Sequence, residues 1–161
     1  MDKVRPCCFL PSSQRCSTNC FTTHWLSNLT IPLANKFYRQ HGFRGKAKRN
    51  QPCAVVKNGK AEIVGCGYLR DYDSFTLLAG VAVATDYQNL GVARLLLAFL
   101  SQRFDHQTYT FPYLALLPFY QSLGFKAAEL EQQPAVNHLY QTYVKQRRSI
   151  MPMVYCCHRL D

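Results

Sequence analysis

Long apolar runs are missing from this chain of 161 residues. The longest, Leu77 to Ala84 and Leu95 to Leu100, fall far short of the roughly 20 residues that a membrane-spanning helix needs. The sequence therefore predicts no membrane partner. Acidic residues are scarce, nine against nineteen Lys and Arg, and the resulting formal charge of +10 points to an anionic partner. A secretory h-region is also lacking. Lys3 and Arg5 are followed only by Cys7-Cys8-Phe9-Leu10 before Pro11, against the roughly 7–15 apolar residues that export needs. A cytoplasmic protein is the expectation, and its eight cysteines are read as free thiols in a reducing compartment. Internal repeats, domain-separating linkers and low-complexity tracts are absent, so residues 1–161 are read as one domain, with residues 1–30 irregular apart from a short strand.

The charge that is present is uneven. Lys36, Arg39, Arg44, Lys46, Lys48, Arg49, Lys57 and Lys60 fall in a window without any acidic residue. A phosphorylated ligand, an acidic substrate or nucleic acid would each be drawn to such a patch, and a merely solvated basic face is the plain alternative.

Periodicity predicts the elements. Pro32, with Leu33, Phe37 and either Ala34 or Tyr38 on one face, opens a helix that Gly42 ends. Arg44 to Gln51 reads as a loop or a frayed helix. Cys53 to Lys57, Asn58-Gly59 and Ala61 to Leu69 read as a hairpin closed by a type I′ turn. Phe75 to Ala84 reads as a strand buried on both faces. From Gly91 the pattern becomes helical, with Val92, Leu95, Leu96, Phe99, Leu100 and Phe104 on one face. Tyr109 to Phe111, Phe125 to Leu130 and Met151 to His158 read as strands. Leu114 to Leu123 reads as a helix capped by Gly124. A last helix opened by Pro134 runs from about Ala135 to Arg147, its basic end (Lys145, Arg147 and Arg148) suiting the helix dipole.

Chemistry concentrates in the strand-turn-helix Val81-Ala82-Val83-Ala84-Thr85-Asp86-Tyr87-Gln88-Asn89-Leu90-Gly91-Val92-Ala93-Arg94. The first amides of a helix lack internal acceptors and carry the positive end of its dipole, so a phosphate placed there gains several hydrogen bonds at once. Small residues at Gly91 and Ala93 allow close approach. An ordinary strand-to-helix connection is the bland alternative.

This segment resembles the acetyl-CoA signature of the Gcn5-related N-acetyltransferase (GNAT) superfamily, Q/R-x-x-G-x-G/A behind a V-x-V strand. Gln88, Gly91, Ala93, Val81 and Val83 match it. Pro118-Phe119-Tyr120-Gln121-Ser122-Leu123-Gly124-Phe125 resembles the F-Y-x-x-x-G-F with which the family's fourth helix commonly ends. The order of elements is similar from about residue 30 to 160. The resemblance implies a mixed, mainly antiparallel sheet of six or seven strands flanked by about four helices, with the fourth and fifth strands splayed.

It also implies direct acetyl transfer from acetyl-CoA to a primary amine. The amides of Gln88, Asn89, Leu90, Gly91, Val92, Ala93 and Arg94 would hold the pyrophosphate, and the backbone of Val81, Ala82 and Val83 the pantetheine arm. Tyr120 would be the general acid for the departing thiolate, with a core tyrosine as the alternative. No general base carries over, because Leu77 stands where many members have a glutamate. Asp71, Asp73, His106, His138 or a water are the candidates, while His41 reads as a helix-end residue. Neither a metal nor a covalent enzyme intermediate is expected, and association into a homodimer is left open.

Other readings are weaker. Cys7-Cys8, Cys16, Cys20 and His24 lack the paired spacing of a structural zinc site, and Cys156-Cys157-His158 would alternate faces of a strand. Cys66 has no evident histidine to make it a nucleophile. Arg44 to Arg49 lacks the interleaved aromatics that stack on RNA bases. A CoA-binding sensor without catalysis and a basic nucleic-acid-binding module remain the alternative functions.

Overall fold

Seven strands form one mixed sheet in the computed structural model of the chain, which describes residues 20–156. They are β1 (Thr22–Trp25), β2 (Cys53–Lys57), β3 (Ile63–Asp71), β4 (Thr76–Val83), β5 (Thr108–Thr110), β6 (Phe125–Ala127) and β7 (Met153–Tyr155), in the spatial order β1-β2-β3-β4-β5-β7-β6. Among the described strands β4 and β5 form the parallel pair, and every other pairing is antiparallel. The helices are α1 (Ile31–Gln40), α2 (Val92–Leu100), α3 (Leu117–Ser122) and α4 (Pro134–Val144). This is the α/β architecture expected, with seven strands and four helices.

The alternation of β2 shows how both faces of the sheet are buried. Ala54 and Val56 pack in one cluster with Val92, Leu96 and Leu100 of α2, whereas Cys53 and Val55 pack in another with Ile31, Ala34 and Phe37 of α1. Successive strand side chains point to opposite faces, so one short strand serves both layers. Gly65 and Gly67 of β3 form the flat on which α2 rests. A Cβ at Gly65 would stand 2.9 Å from Val92, and one at Gly67 would stand 3.1 Å from Leu100. Cys66 lies in the α1-side core with its sulfur 3.7 Å from that of Cys53, which bears out packing rather than nucleophilic chemistry.

Several local expectations are corrected. Leu33 faces outward, 48% exposed, because Ile31, Ala34, Phe37 and Tyr38 supply the inner face of α1. The β2–β3 turn is not type I′. Positive φ occurs at Ala61 instead of at Asn58 or Gly59, and the Asn58 side-chain oxygen accepts the N–H groups of Lys60 and Glu62. That side-chain closure replaces the backbone geometry that Asn-Gly favours. Leu95 is 38% exposed, its inward place being taken by Leu97. Residues 114–116 form a separate 3₁₀ turn before α3. The strands β6 and β7 are shorter than read, and α4 stops at Val144, with no basic residue in its last turn. Cys7, Cys8, Cys16, Cys157 and His158 lie outside the described residues.

Candidate active site

A glycine in the middle of β4 sets up the site. Cys66 pairs with Ala82 and Tyr68 with Ala79, so Gly80 and Val81 together face the single residue Gly67. This is a β-bulge, and Gly80 takes φ +64 in it, a left-handed conformation that disfavours any Cβ. Space forbids one too, since it would lie 2.3 Å from the Tyr68 ring and 2.7 Å from the Tyr38 hydroxyl. Tyr38 fastens the bulge by donating a 2.6 Å hydrogen bond to the Gly80 carbonyl. Burial holds the Tyr38 phenol well above its ordinary pKa, which keeps that proton in place.

Next to the bulge the sheet opens. β4 and β5 pair only from Thr76 to Leu78 against Thr108 to Thr110, and the Thr110 hydroxyl donates to the Leu78 carbonyl where the ladder stops. Beyond that point the β5-facing edge of β4 has no strand partner among the described residues. Such an edge can hydrogen-bond an extended ligand as a further strand would. The gap widens into a cleft of about 510 Å³, lined by Gly80, Val81 and Ala82 on one side, by Thr110 to Tyr113 on the other, and by Tyr120. The β4 burial expected on both faces is therefore only partial. Leu77 and Leu78 are buried, while Ala79, Gly80 and Val81 are half exposed on the cleft.

The chain then turns into α2. The Gln88 side-chain Nε2 donates to the Val83 carbonyl at 3.2 Å, the Gln88 backbone N–H is already engaged by the Thr85 carbonyl at 3.3 Å, and the turn contains two left-handed residues, Asn89 (φ +62) and Gly91 (φ +81). Gly91 is the N-cap of α2 and no side chain caps the helix, so the first-turn amides have no acceptor within it. A Cβ at Gly91 would have nothing within 4 Å, so the approach to these amides is open. Gln88 to Arg94, and Val83, do not line the cleft itself; they continue from the end of the strand that does.

Tyr120 is 5% exposed at the cleft wall, and burial pushes its phenol up to about 12. It packs edge-on against Phe119 and Phe125. It is thus both a core residue and a cleft residue, protonated at neutral pH.

The proposed bases are not brought to the cleft. Asp71 accepts the Thr76 hydroxyl at 2.9 Å at the end of β3, and Asp73, His106 and His138 are exposed elsewhere. His41 stacks on Phe37 at the C-terminal end of α1, as read. Leu77, at the position of the family's glutamate, lines the cleft with no titratable group.

The residues that sequence reasoning missed are cationic and aromatic. Arg44, Lys46, Arg70 and Arg148 line the cleft together with Tyr68, Tyr113 and Tyr143, and among the described residues no Asp, Glu or His does. The loop bearing Arg44 and Lys46 is docked over Tyr38 and Tyr68. Asn35 exchanges two 2.9 Å bonds with the Ala47 backbone, and the Lys46 N–H donates to the Tyr68 hydroxyl. Isolated Gly80 inside an apolar strand was the available signal for a bulge. Arg148, read as a dipole partner of the last helix, instead follows a left-handed Arg147 (φ +61) back to the cleft.

A splayed β4–β5 seam running into an uncapped helix is the architecture of the GNAT fold. Residues 49–127 match the family model described as an acetyltransferase (GNAT) domain. No curated protein matches the sequence. Among solved structures it is similar to N-acetylglutamate synthase from Neisseria gonorrhoeae complexed with coenzyme A and N-acetyl-glutamate (15% identity, TM-score 0.64), covering 87% of this chain and 36% of that one. It is also similar to the ribosomal-protein-S18-alanine N-acetyltransferase from Escherichia coli (15%, TM-score 0.59), over 88% of this chain and 99% of that one. IAA acetyltransferase from Bacillus cereus is a third (12%, TM-score 0.56), over 84% and 99%. At these identities the likeness establishes the fold.

Proposed function

We propose that the chain is an acyl-CoA-dependent N-acyltransferase that moves an acetyl group from acetyl-CoA to a primary amine. The observation that carries this reading is the unpaired edge of β4 leading directly to the open amides of α2. An extended pantetheine arm fits the backbone of Val81, Ala82 and Val83, and a pyrophosphate fits the amides of Gln88 to Arg94. The open space at Gly91 suits the same group.

When bound, acyl-CoA supplies an activated thioester and a sulfur leaving group. The acceptor nitrogen forms the new N–C bond as the C–S bond breaks with its electron pair on sulfur, and the nitrogen's surplus proton passes to water. Tyr120 keeps its proton and donates a hydrogen bond to the sulfur as charge develops there. Full transfer from a phenol at about 12 to a thiolate of ordinary pKa about 8.5 is uphill by about 5 kcal/mol, so hydrogen bonding is the role its burial allows.

Freeing an ordinary amine of pKa about 10.4 from its proton at pH 7 costs about 4.6 kcal/mol. Arg44, Lys46, Arg70 and Arg148 reduce that cost, because like charges in a confined cleft disfavour the ammonium form. A water can then serve as base where no carboxylate stands.

Among the described residues no helix is long and apolar enough to cross a membrane, and the four cysteines are free, which suits the reducing interior of a cell. The lack of a carboxylate or histidine in the cleft among the described residues favours one second reading, a CoA-binding domain without turnover. A thiol-release assay with acetyl-CoA over a panel of amines separates the two. Turnover of any amine supports the enzyme, and binding of acetyl-CoA without turnover of any amine supports the sensor.

A further inference from the structure

Two buried side-chain nitrogens among the described residues lack any hydrogen-bond partner, and both belong to the cleft: Arg70 Nε and Arg148 Nε. A buried N–H without an acceptor is destabilising, more so on a charged group, and native structures rarely keep one without a use for it. Each guanidinium is held in place by an aromatic face. Arg70 lies 5.6 Å from the centre of the Tyr68 ring, and Arg148 lies 4.9 Å from that of Tyr143. Stacking of this kind fixes the plane of the group. Tyr72, which hydrogen-bonds Arg70, and the Tyr68 and Tyr143 phenols all sit close enough to Arg70 to affect its ionisation, so the five side chains form one cluster.

The cluster is misplaced for the pyrophosphate. Arg70 pairs across the sheet with Leu77, and Leu77 precedes Val83, where β4 feeds the turn into α2, by six residues. At about 3.3 Å per strand residue that is roughly 20 Å. The arginines therefore serve the other end of the cleft, where an acceptor would lie.

Resting on the acyltransfer reading, we infer that the acceptor carries a carboxylate beside its amine, as a free amino acid does, and that Arg70 and Arg148 bind that carboxylate. A guanidinium fork matches the two oxygens of a carboxylate, and among the described residues no carboxylate lines the cleft to compete. The apolar wall of Leu77, Phe111, Leu116 and Ile150 leaves the rest of the acceptor an uncharged surface.

The test is a thiol-release assay comparing the common amino acids with their carboxamides, in wild type and in Arg70→Gln and Arg148→Gln, with acetyl-CoA affinity measured on each protein by calorimetry. The expected result is a kcat/KM roughly tenfold or more lower for the amides. Each variant should raise KM for the accepted amino acid by a similar factor and narrow the acid-to-amide ratio, with acetyl-CoA affinity unchanged. Equal use of amides and acids, or no use of any amino acid by a protein that binds acetyl-CoA, would overturn the inference while leaving CoA binding intact. A wild type that fails to bind acetyl-CoA would overturn the acyltransfer reading itself, and this inference with it.

Discussion

Arg94 of α2 donates a 3.0 Å hydrogen bond to the Ser122 hydroxyl of α3 and lays its guanidinium 5.5 Å from the centre of the Phe119 ring. Ser122 in turn donates to the Phe119 carbonyl at 2.6 Å. Tyr120 lies between those two residues, so a single arginine couples the start of α2 to the stretch that presents the phenol. The bond joins two segments that stand 28 residues apart in sequence.

Removing the Tyr120 hydroxyl tests its part in the reaction. Tyr120→Phe keeps the ring that packs on Phe119 and Phe125 and loses only the donor. A fall in kcat of about 10²-fold, with KM for acetyl-CoA nearly unchanged, is the expected steady-state result. An unchanged kcat removes Tyr120 from the chemistry.

The same phenol governs alkaline stability. Its folded pKa is raised from 10.0 to about 12, so its contribution is fully present below pH 10 and is lost as pH rises from 10 to 12. Two units correspond to roughly 3 kcal/mol. Denaturant unfolding between pH 9 and 12 should show the wild type losing more stability than Tyr120→Phe, and parallel curves would contradict the assignment.

With no carboxylate or histidine in the cleft among the described residues, kcat/KM should rise with pH along one limb set by the acceptor amine. No inflection between pH 5 and 7 is expected, and substitution of Asp71, Asp73, His106 or His138 by Ala should leave the rate within about twofold. An inflection in that range that vanishes in one of these variants would identify a base.

Gly80→Ala probes the bulge. A methyl group there meets the Tyr68 ring and adopts a left-handed φ, together about 2–5 kcal/mol of destabilisation. Calorimetric melting should fall by roughly 5–15 °C. Gly42→Ala, also at positive φ but with nothing within 4 Å, should fall by much less.

The proposed donor half of the site was legible because it is made of backbone. A V-x-V strand, a small-residue turn and a helix start are local in sequence, and Val81, Gln88, Gly91 and Tyr120 could be read where they stand. The acceptor half is assembled from long-range contacts. Arg70 at the end of β3, Arg148 after α4 and the loop pinned by Asn35 meet only once the sheet has formed. No periodicity marks them, and the charge run from Lys36 to Lys60 could not reveal that Arg44 and Lys46 alone among its members reach the cleft. The Asn58-Gly59 turn misled for a related reason, since the Asn58 side chain overrode the backbone preference of the pair.

A pyrophosphate-bearing acyl donor lying along β4 and on the amides that open at Gly91 would be displaced by a carboxylate at position 91. Calorimetric titration with acetyl-CoA should therefore show one-to-one binding by wild type with a dissociation constant of roughly 1 μM–1 mM, and a loss of at least about tenfold in Gly91→Asp with circular dichroism unchanged. No binding by wild type, or equal affinity in the folded variant, would contradict this placement of the donor.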